Sequence, residues 1–199
     1  QSGRYFPFGE VAIVKLPYME GFPGTASWGT VYLAETYAHG GEEWFEEILA
    51  HEISHLWWGT LAHQADMGRN TLMTEGMAVT SQYEYIRQKY YADMDPDLYF
   101  QGKLRQNQLY LWYLTDPQTL PNIQLTQGES WPETLNEQVV WAYYKTSAFL
   151  DLLRLAIGEE NFSQSLKDYL DACIDSECTI QDAESVFSQR SGDVVSALF

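Results

Sequence analysis

His51-Glu52-Ile53-Ser54-His55 is the stretch whose residue types and spacing most directly imply chemistry. On an α-helix, residues four apart lie about 40° apart around the axis and one turn apart along it, so both imidazoles reach a single metal ion. Glu52 projects beside them, placed to accept a proton from a metal-bound water rather than to fill a coordination position. Zinc in a hydrolase commonly takes three protein ligands and leaves the fourth position to water. Glu75 is the natural third ligand, because Met73, Met77 and Ala78 around it argue for an inward-facing helix. The expected centre is therefore one Zn2+ per chain on His51, His55 and Glu75, with Glu52 as general base.

Those side chains need elements to hold them. Glu10–Leu16 and Trp28–Ala34 are β-branched or aromatic runs separated by Gly21-Phe-Pro-Gly24, and they read as two strands of a small sheet. A turn at His39-Gly40-Gly41 precedes Glu42, Glu43, Glu46 and Glu47, which favour the positive end of a helix dipole. The helix that follows is expected to run to about Trp58, with Trp44, Ile48, His51 and His55 on an inward stripe and Gly59 as its stop. After a polar connection from about Thr60 to Asn70, a second helix is expected from about Leu72 to Tyr91. Pro96 opens a third, to about Leu114, whose Leu98, Leu104, Leu109 and Trp112 read as core.

Thr115 to Pro132 is punctuated by proline and glycine and reads as a long loop of the kind that borders a site. A fourth helical stretch runs from Leu135 to Gly158. Two more follow, Glu159 to about Cys173 and Ile180 to about Gln189, the latter with Thr179 and Asp182 as a capping pair. The fold class expected is α+β, mostly α, in a single domain over 1–199: sheet in 1–40, helices in 41–199.

Composition narrows the partners. A formal charge of −17 disfavours nucleic acid and anionic membranes, which would repel such a surface. The 45% hydrophobic content, with 7 Trp, 14 Tyr and 9 Phe, argues against disorder and for a packed core. No apolar run approaches the about 18 residues that span a bilayer, and no signal-peptide pattern is present, so direct membrane insertion by this segment is not expected. The chain starts at Gln1 and enters an aromatic stretch at once, which reads as a piece excised from a longer protein. Cys173 and Cys178 lack the partners a structural zinc site needs; isolated thiols or one local disulfide are the states open to them. No compartment follows from these features.

The string His51-Glu-Ile-Ser-His55-Leu-Trp-Trp-Gly59, followed by Thr74-Glu75-Gly76-Met-Ala78, resembles the aminopeptidase N family of gluzincin zinc metallopeptidases. It is also similar to the HExxHxWWG form of members associated with bacterial membrane-transporter proteins. The resemblance implies a catalytic domain of thermolysin-like fold, peptide substrates, flanking domains beyond this segment, zinc on His51, His55 and Glu75, and Glu52 as base. The connection Leu56–Thr74 is one residue longer than the family spacing.

Tyr143-Tyr144-Lys145-Thr146 can be laid on the family's Tyr-Glu-Lys-Gly string through Lys145, which implies Tyr143 as the hydroxyl that stabilises the tetrahedral intermediate, with Tyr144 as its rival. Family exopeptidases also carry GxMEN before Trp-Gly, whose Glu grips the substrate's amino terminus. Aligned on Trp28-Gly29, this sequence has Pro23-Gly-Thr-Ala-Ser27, with Ala26 in place of that Glu and Glu20 or Glu35 as geometric substitutes. The expected activity is thus aminopeptidase-like hydrolysis of peptide bonds. The alternatives are an endopeptidase of the same fold, or a zinc-binding, non-catalytic domain of a transporter-linked membrane protein.

Overall fold

The computed structural model describes residues 8–19, 23–35, 41–62, 71–114, 140–174 and 176–199. Its sheet has three strands, β1 (Ala12–Leu16), β2 (Gly24–Ser27) and β3 (Thr30–Ala34), in the order β1-β3-β2. β1 runs parallel to β3, and β2 antiparallel to it. The extra strand, β2, comes from a Gly/Pro-rich stretch of low β propensity that the sequence marks as a break. Its pairing is imposed by the hairpin instead. Trp28 and Gly29 both take positive φ, 47° and 81°, the two-residue turn whose twist matches paired strands.

Central β3 buries Val31 and Leu33 against Ile48 and Leu56, forming a small apolar cluster between sheet and helix. The first helix, α1 (Glu42–Ser54), places Glu42 and Glu43 in its first turn, as the dipole favours. Regular α geometry stops at Ser54, short of Trp58. The chain then tightens into i→i−3 bonds, His55 N–H to Glu52 O, Leu56 to Ile53 and Trp57 to Ser54. Gly59 ends this segment with φ 110°, where a side chain would be strained. Trp44 is exposed, so the inward stripe begins at Ile48.

α2 (Thr71–Tyr90) and α3 (Pro96–Leu114) follow. On α3 the expected core residues Leu98 and Leu109 are exposed, while Tyr99, Phe100 and Asn107 are buried. The buried stripe is rotated by about one residue, and the tyrosine and phenylalanine rings fill the volume assigned to leucine. The Trp112 side chain, the 115–132 loop and the start of the fourth helical stretch lie outside the described residues.

Val140–Lys145 forms one π-helical segment that continues into α4 (Thr146–Ile157), followed by α5 (Glu159–Cys173), α6 (Ile180–Ser191) and the short α7 (Asp193–Ser196). Thr179 and Asp182 make the expected reciprocal capping box at the start of α6. Cys173 and Cys178 are joined in a local disulfide, the second of the two states left open by sequence. The larger core gathers Met73 and Met77 from α2, Phe149, Leu150 and Leu153 from α4, and Phe162, Tyr169 and Phe187 behind them. No helix among the described residues is long and apolar enough to cross a membrane.

The two cores meet at the end of α1. Leu56 belongs to the sheet cluster, Trp58 to the helical one, and Trp57 packs against both. Each buried side chain of this size contributes on the order of 1.5–3 kcal/mol, so the segment after His55 is fixed from both sides.

Candidate metal centre

His51 and His55 enter the centre from α1 and its tightened end, and Glu75 enters from the second turn of α2. The Nε2 atoms of the two imidazoles are 3.2 Å apart; Glu75 Oε2 lies 3.2 Å from His51 Nε2 and 3.4 Å from His55 Nε2. Donors with these separations form one face of a tetrahedron whose centre is about 2 Å from each, the distance at which zinc binds nitrogen and oxygen. Among the described residues this is the one His/Cys/Asp/Glu group able to hold a metal ion. A borderline cation preferring two imidazoles and a carboxylate fits this donor set.

The outer ring nitrogens are engaged as such a centre requires. His51 Nδ1 is 3.1 Å from Gln82 Oε1, and His55 Nδ1 is 3.2 Å from the Trp58 carbonyl oxygen. Both partners are acceptors, so each Nδ1 carries a proton; with a metal bound each Nε2 would turn its lone pair inward, and without one a proton on Nε2 is shared with Glu75. The early end of regular helix at Ser54 brings the Trp58 carbonyl round to His55. Gln82 escaped the sequence reading, although its position seven residues, two turns, beyond Glu75 puts both on one face of α2.

Electrostatics reinforce the grouping. Burial works against the charge of Glu75, but hydrogen bonds with His51 and His55 outweigh it and hold the carboxyl well below the usual range. Burial likewise opposes protonation of His55, yet the hydrogen bond and charge of Glu75 raise its pKa. Glu52 is buried beside this group, and loss of solvent raises its pKa, with the Glu75 charge adding to the rise against the opposing pull of the histidines. Its side chain lies against β2 at Gly24.

Tyr143 stacks on His51, ring centres 5.6 Å apart and planes 17° from parallel. Burial and the charge of the Glu75 carboxylate raise its pKa far above that of a free phenol. Tyr144 turns instead toward α3 and stacks on Tyr110 at 4.9 Å. The π-helical segment that carries them is tied to α4 by Thr146 Oγ1 donating to Trp141 O at 3.2 Å and Ser147 Oγ donating to Tyr143 O. Thr146 in turn lies against Gly76, where any Cβ would collide with the threonine side chain. The residue after Glu75 therefore permits the close crossing of α2 and α4.

At the position expected to bind a substrate amine, Ala26 packs against the apolar cluster between sheet and α1. Glu35 is ion-paired with Lys15 at 2.8 Å, and Glu20 lies outside the described residues.

The family model described as "Peptidase family M1 domain" matches residues 9–199. A solved M1 zinc metallopeptidase from Deinococcus radiodurans is 18% identical, superposes with a TM-score of 0.68, and is matched over 94% of this chain and 38% of its own. An E323A mutant from the same organism, bound to a Tyr-Ser-Ala substrate, gives a TM-score of 0.67 at the same identity and coverage. At that identity the likeness establishes the fold, and the chain spans about two-fifths of the length of these structures. No curated protein gives a significant sequence match.

Proposed function

This chain belongs to peptidase family M1, and from that premise we propose that it is a zinc-dependent peptidase acting in an aminopeptidase-like manner on peptide substrates. The observation that carries the reading is the convergence of His51 Nε2, His55 Nε2 and Glu75 Oε2 within 3.4 Å of one another, with Glu52 buried alongside. In this reading residues 1–199 act as one catalytic domain of thermolysin-like type. The full protein's substrates and partners, flanking domains included, are part of the same proposal.

Zinc held by the three ligands would supply Lewis acidity, polarising the scissile carbonyl and making water acidic near neutral pH. Glu52 takes the proton from the attacking water at its carboxylate and later returns one to the leaving amine. Burial suits it to this role, because a raised pKa makes the carboxylate a stronger proton acceptor than an exposed glutamate. Tyr143 donates a hydrogen bond to the developing oxyanion, and its raised pKa keeps the hydroxyl protonated for that purpose. Gln82 and the Trp58 carbonyl hold the imidazoles in the required tautomer.

One observation favours a second reading. Ala26 offers no carboxylate to a free amino terminus, as an endopeptidase would tolerate. Sequencing the products of a mixed peptide digest, with and without a chelator and after zinc is restored, separates the two. Stepwise loss of amino-terminal residues supports the aminopeptidase-like reading, and internal cuts support the endopeptidase. Chelator-insensitive cleavage contradicts both.

A further inference from the structure

The Trp58 carbonyl that faces His55 Nδ1 belongs to a tight turn. Trp57 O accepts from the Leu61 and Ala62 N–H groups at 3.3 and 2.8 Å, and the Gly59 N–H donates to Ala62 O at 3.1 Å. Ala62 is fully buried and takes part in two isolated β-bridges, a parallel one with Trp58 and an antiparallel one with Ile174. Ile174 is the C-cap of α5, one residue after Cys173, and is extended, with φ −67° and ψ 128°. The segment that begins there is closed by the Cys173–Cys178 disulfide, whose Cα atoms are 5.5 Å apart. A continuous path of bonded groups therefore runs from the disulfide through Ile174 and Ala62 to Trp58 O and the imidazole of His55.

The end of α5 meets the turn a second time, where the Trp58 ring stacks on Tyr169 at 6.3 Å, and both cysteines are buried in the same apolar cluster as Trp58 and Ala62. Ile174 N–H bonds Leu170 O at 3.0 Å and Ser176 N–H bonds Cys173 O at 3.3 Å, so both donors return to α5. The crosslink instead joins the end of α5 to the residue before the Thr179 cap of α6. We propose that Cys173 and Cys178 are positioning residues for His55: their disulfide holds Ile174 against Ala62 and so keeps the Trp58 carbonyl at the imidazole, which makes zinc affinity depend on the redox state of the pair. This rests on the reading of His51, His55 and Glu75 as a zinc site. In reduction the Sγ–Sγ bond breaks, two electrons and two protons come from two small thiols, and these leave joined as their own disulfide. Groups that directly orient a ligating imidazole are worth about 10- to 100-fold in metal affinity, so an element one step further out is expected to be worth about 3- to 10-fold.

The test uses the full chain, either oxidised or reduced with a dithiol that is then removed under argon. Zinc affinity is read by chelator competition under conditions where circular dichroism shows both forms folded. Reduction is expected to weaken zinc binding by about 3- to 10-fold, and the double variant Cys173→Ala/Cys178→Ala should bind as the reduced form does. Linkage demands the reciprocal effect: saturating zinc makes the disulfide harder to reduce by the same factor. In glutathione buffers, with free thiols trapped by alkylation and counted by mass, zinc should lower the potential of the pair by about 14–30 mV, because tenfold corresponds to about 30 mV. A crosslink that only stabilises the outer helices moves neither quantity, however much it raises the urea midpoint.

Equal or tighter zinc binding after reduction, or a potential indifferent to zinc, would overturn the proposal. Should the double variant fail to fold, the reduced parent carries the comparison; if that unfolds too, the pair is a staple of the whole fold and the proposal is overturned as well. Glu75→Ala tells the two readings apart. If it loses zinc while the parent binds zinc equally in both redox states, only the inference about the disulfide fails. If Glu75→Ala binds zinc as tightly as the parent, the metal centre itself falls.

Discussion

Two buried polar clusters lean on α2, and they differ in what their atoms face. In one, His51, His55 and Glu75 turn lone pairs toward a common point. In the other, the charged side chains are paired with one another or give up their charge. Tyr83 donates to Asn107 Oδ1 at 3.1 Å, and Asn107 reaches Asp151 at 3.5 Å. Arg154 bonds Glu84 at 3.1 Å and Glu159 at 2.6 Å, and stacks over Phe100. Burial pushes the Asp151 carboxyl up to about 8, against the opposing pull of Arg154 and Lys103. Buried charge is thus no mark of chemistry in this protein. Lone pairs converging without an internal counter-charge between them are, because only a cation or protons can fill that arrangement.

The sharpest way to break this contrast is at the base. Glu52→Gln should lower peptide hydrolysis by about 10²- to 10⁴-fold or more while zinc stays near one per chain, since Glu52 is not a ligand. Parallel steady-state assays and metal analysis check it, and concurrent loss of zinc would merge base and ligands into one structural unit. A smaller effect is expected from Gln82→Ala, which leaves the three ligands intact but frees the His51 ring. Zinc affinity, measured by chelator competition, should weaken by about 10- to 100-fold.

The effect expected to be smallest at the metal centre lies in the second cluster. Asp151 has a folded pKa of about 8 against an ordinary 3.8, so its protonated form is the one the fold favours. Its contribution to stability is full below about pH 4 and is lost as pH rises toward 8, with a slope of up to about 1.4 kcal/mol per pH unit. Asp151→Asn should remove that slope in urea unfolding between pH 5 and 8 and leave zinc content unchanged. A slope that survives would place the titration elsewhere.

The convergence of His51, His55 and Glu75 was legible because it is local: His51 and His55 lie one turn apart at the end of α1, and Glu75 sits among Met73, Met77 and Ala78, which are all buried. The capping box at Thr179 and Asp182 was legible for the same reason. What sequence did not reveal depends on distant contacts. β2 exists because a hairpin pairs it with β3, and Gly76 matters for the side chain it does not have. Leu98 and Leu109 fit a helical stripe as well as Tyr99 and Phe100 do, and only packing against α2 decides which pair is buried. Tyr143 was separable from Tyr144 by resemblance alone. The π-helical segment that turns one toward His51 and the other toward Tyr110 has no sequence signature.

X-ray absorption at the zinc edge of the zinc-loaded protein addresses the coordination itself. One ion per chain with two imidazole nitrogens and a carboxylate oxygen at about 2.0–2.2 Å, completed by solvent oxygen, is the result predicted. A shell containing sulfur, a single imidazole, or no change in that shell on Glu75→Ala would contradict it.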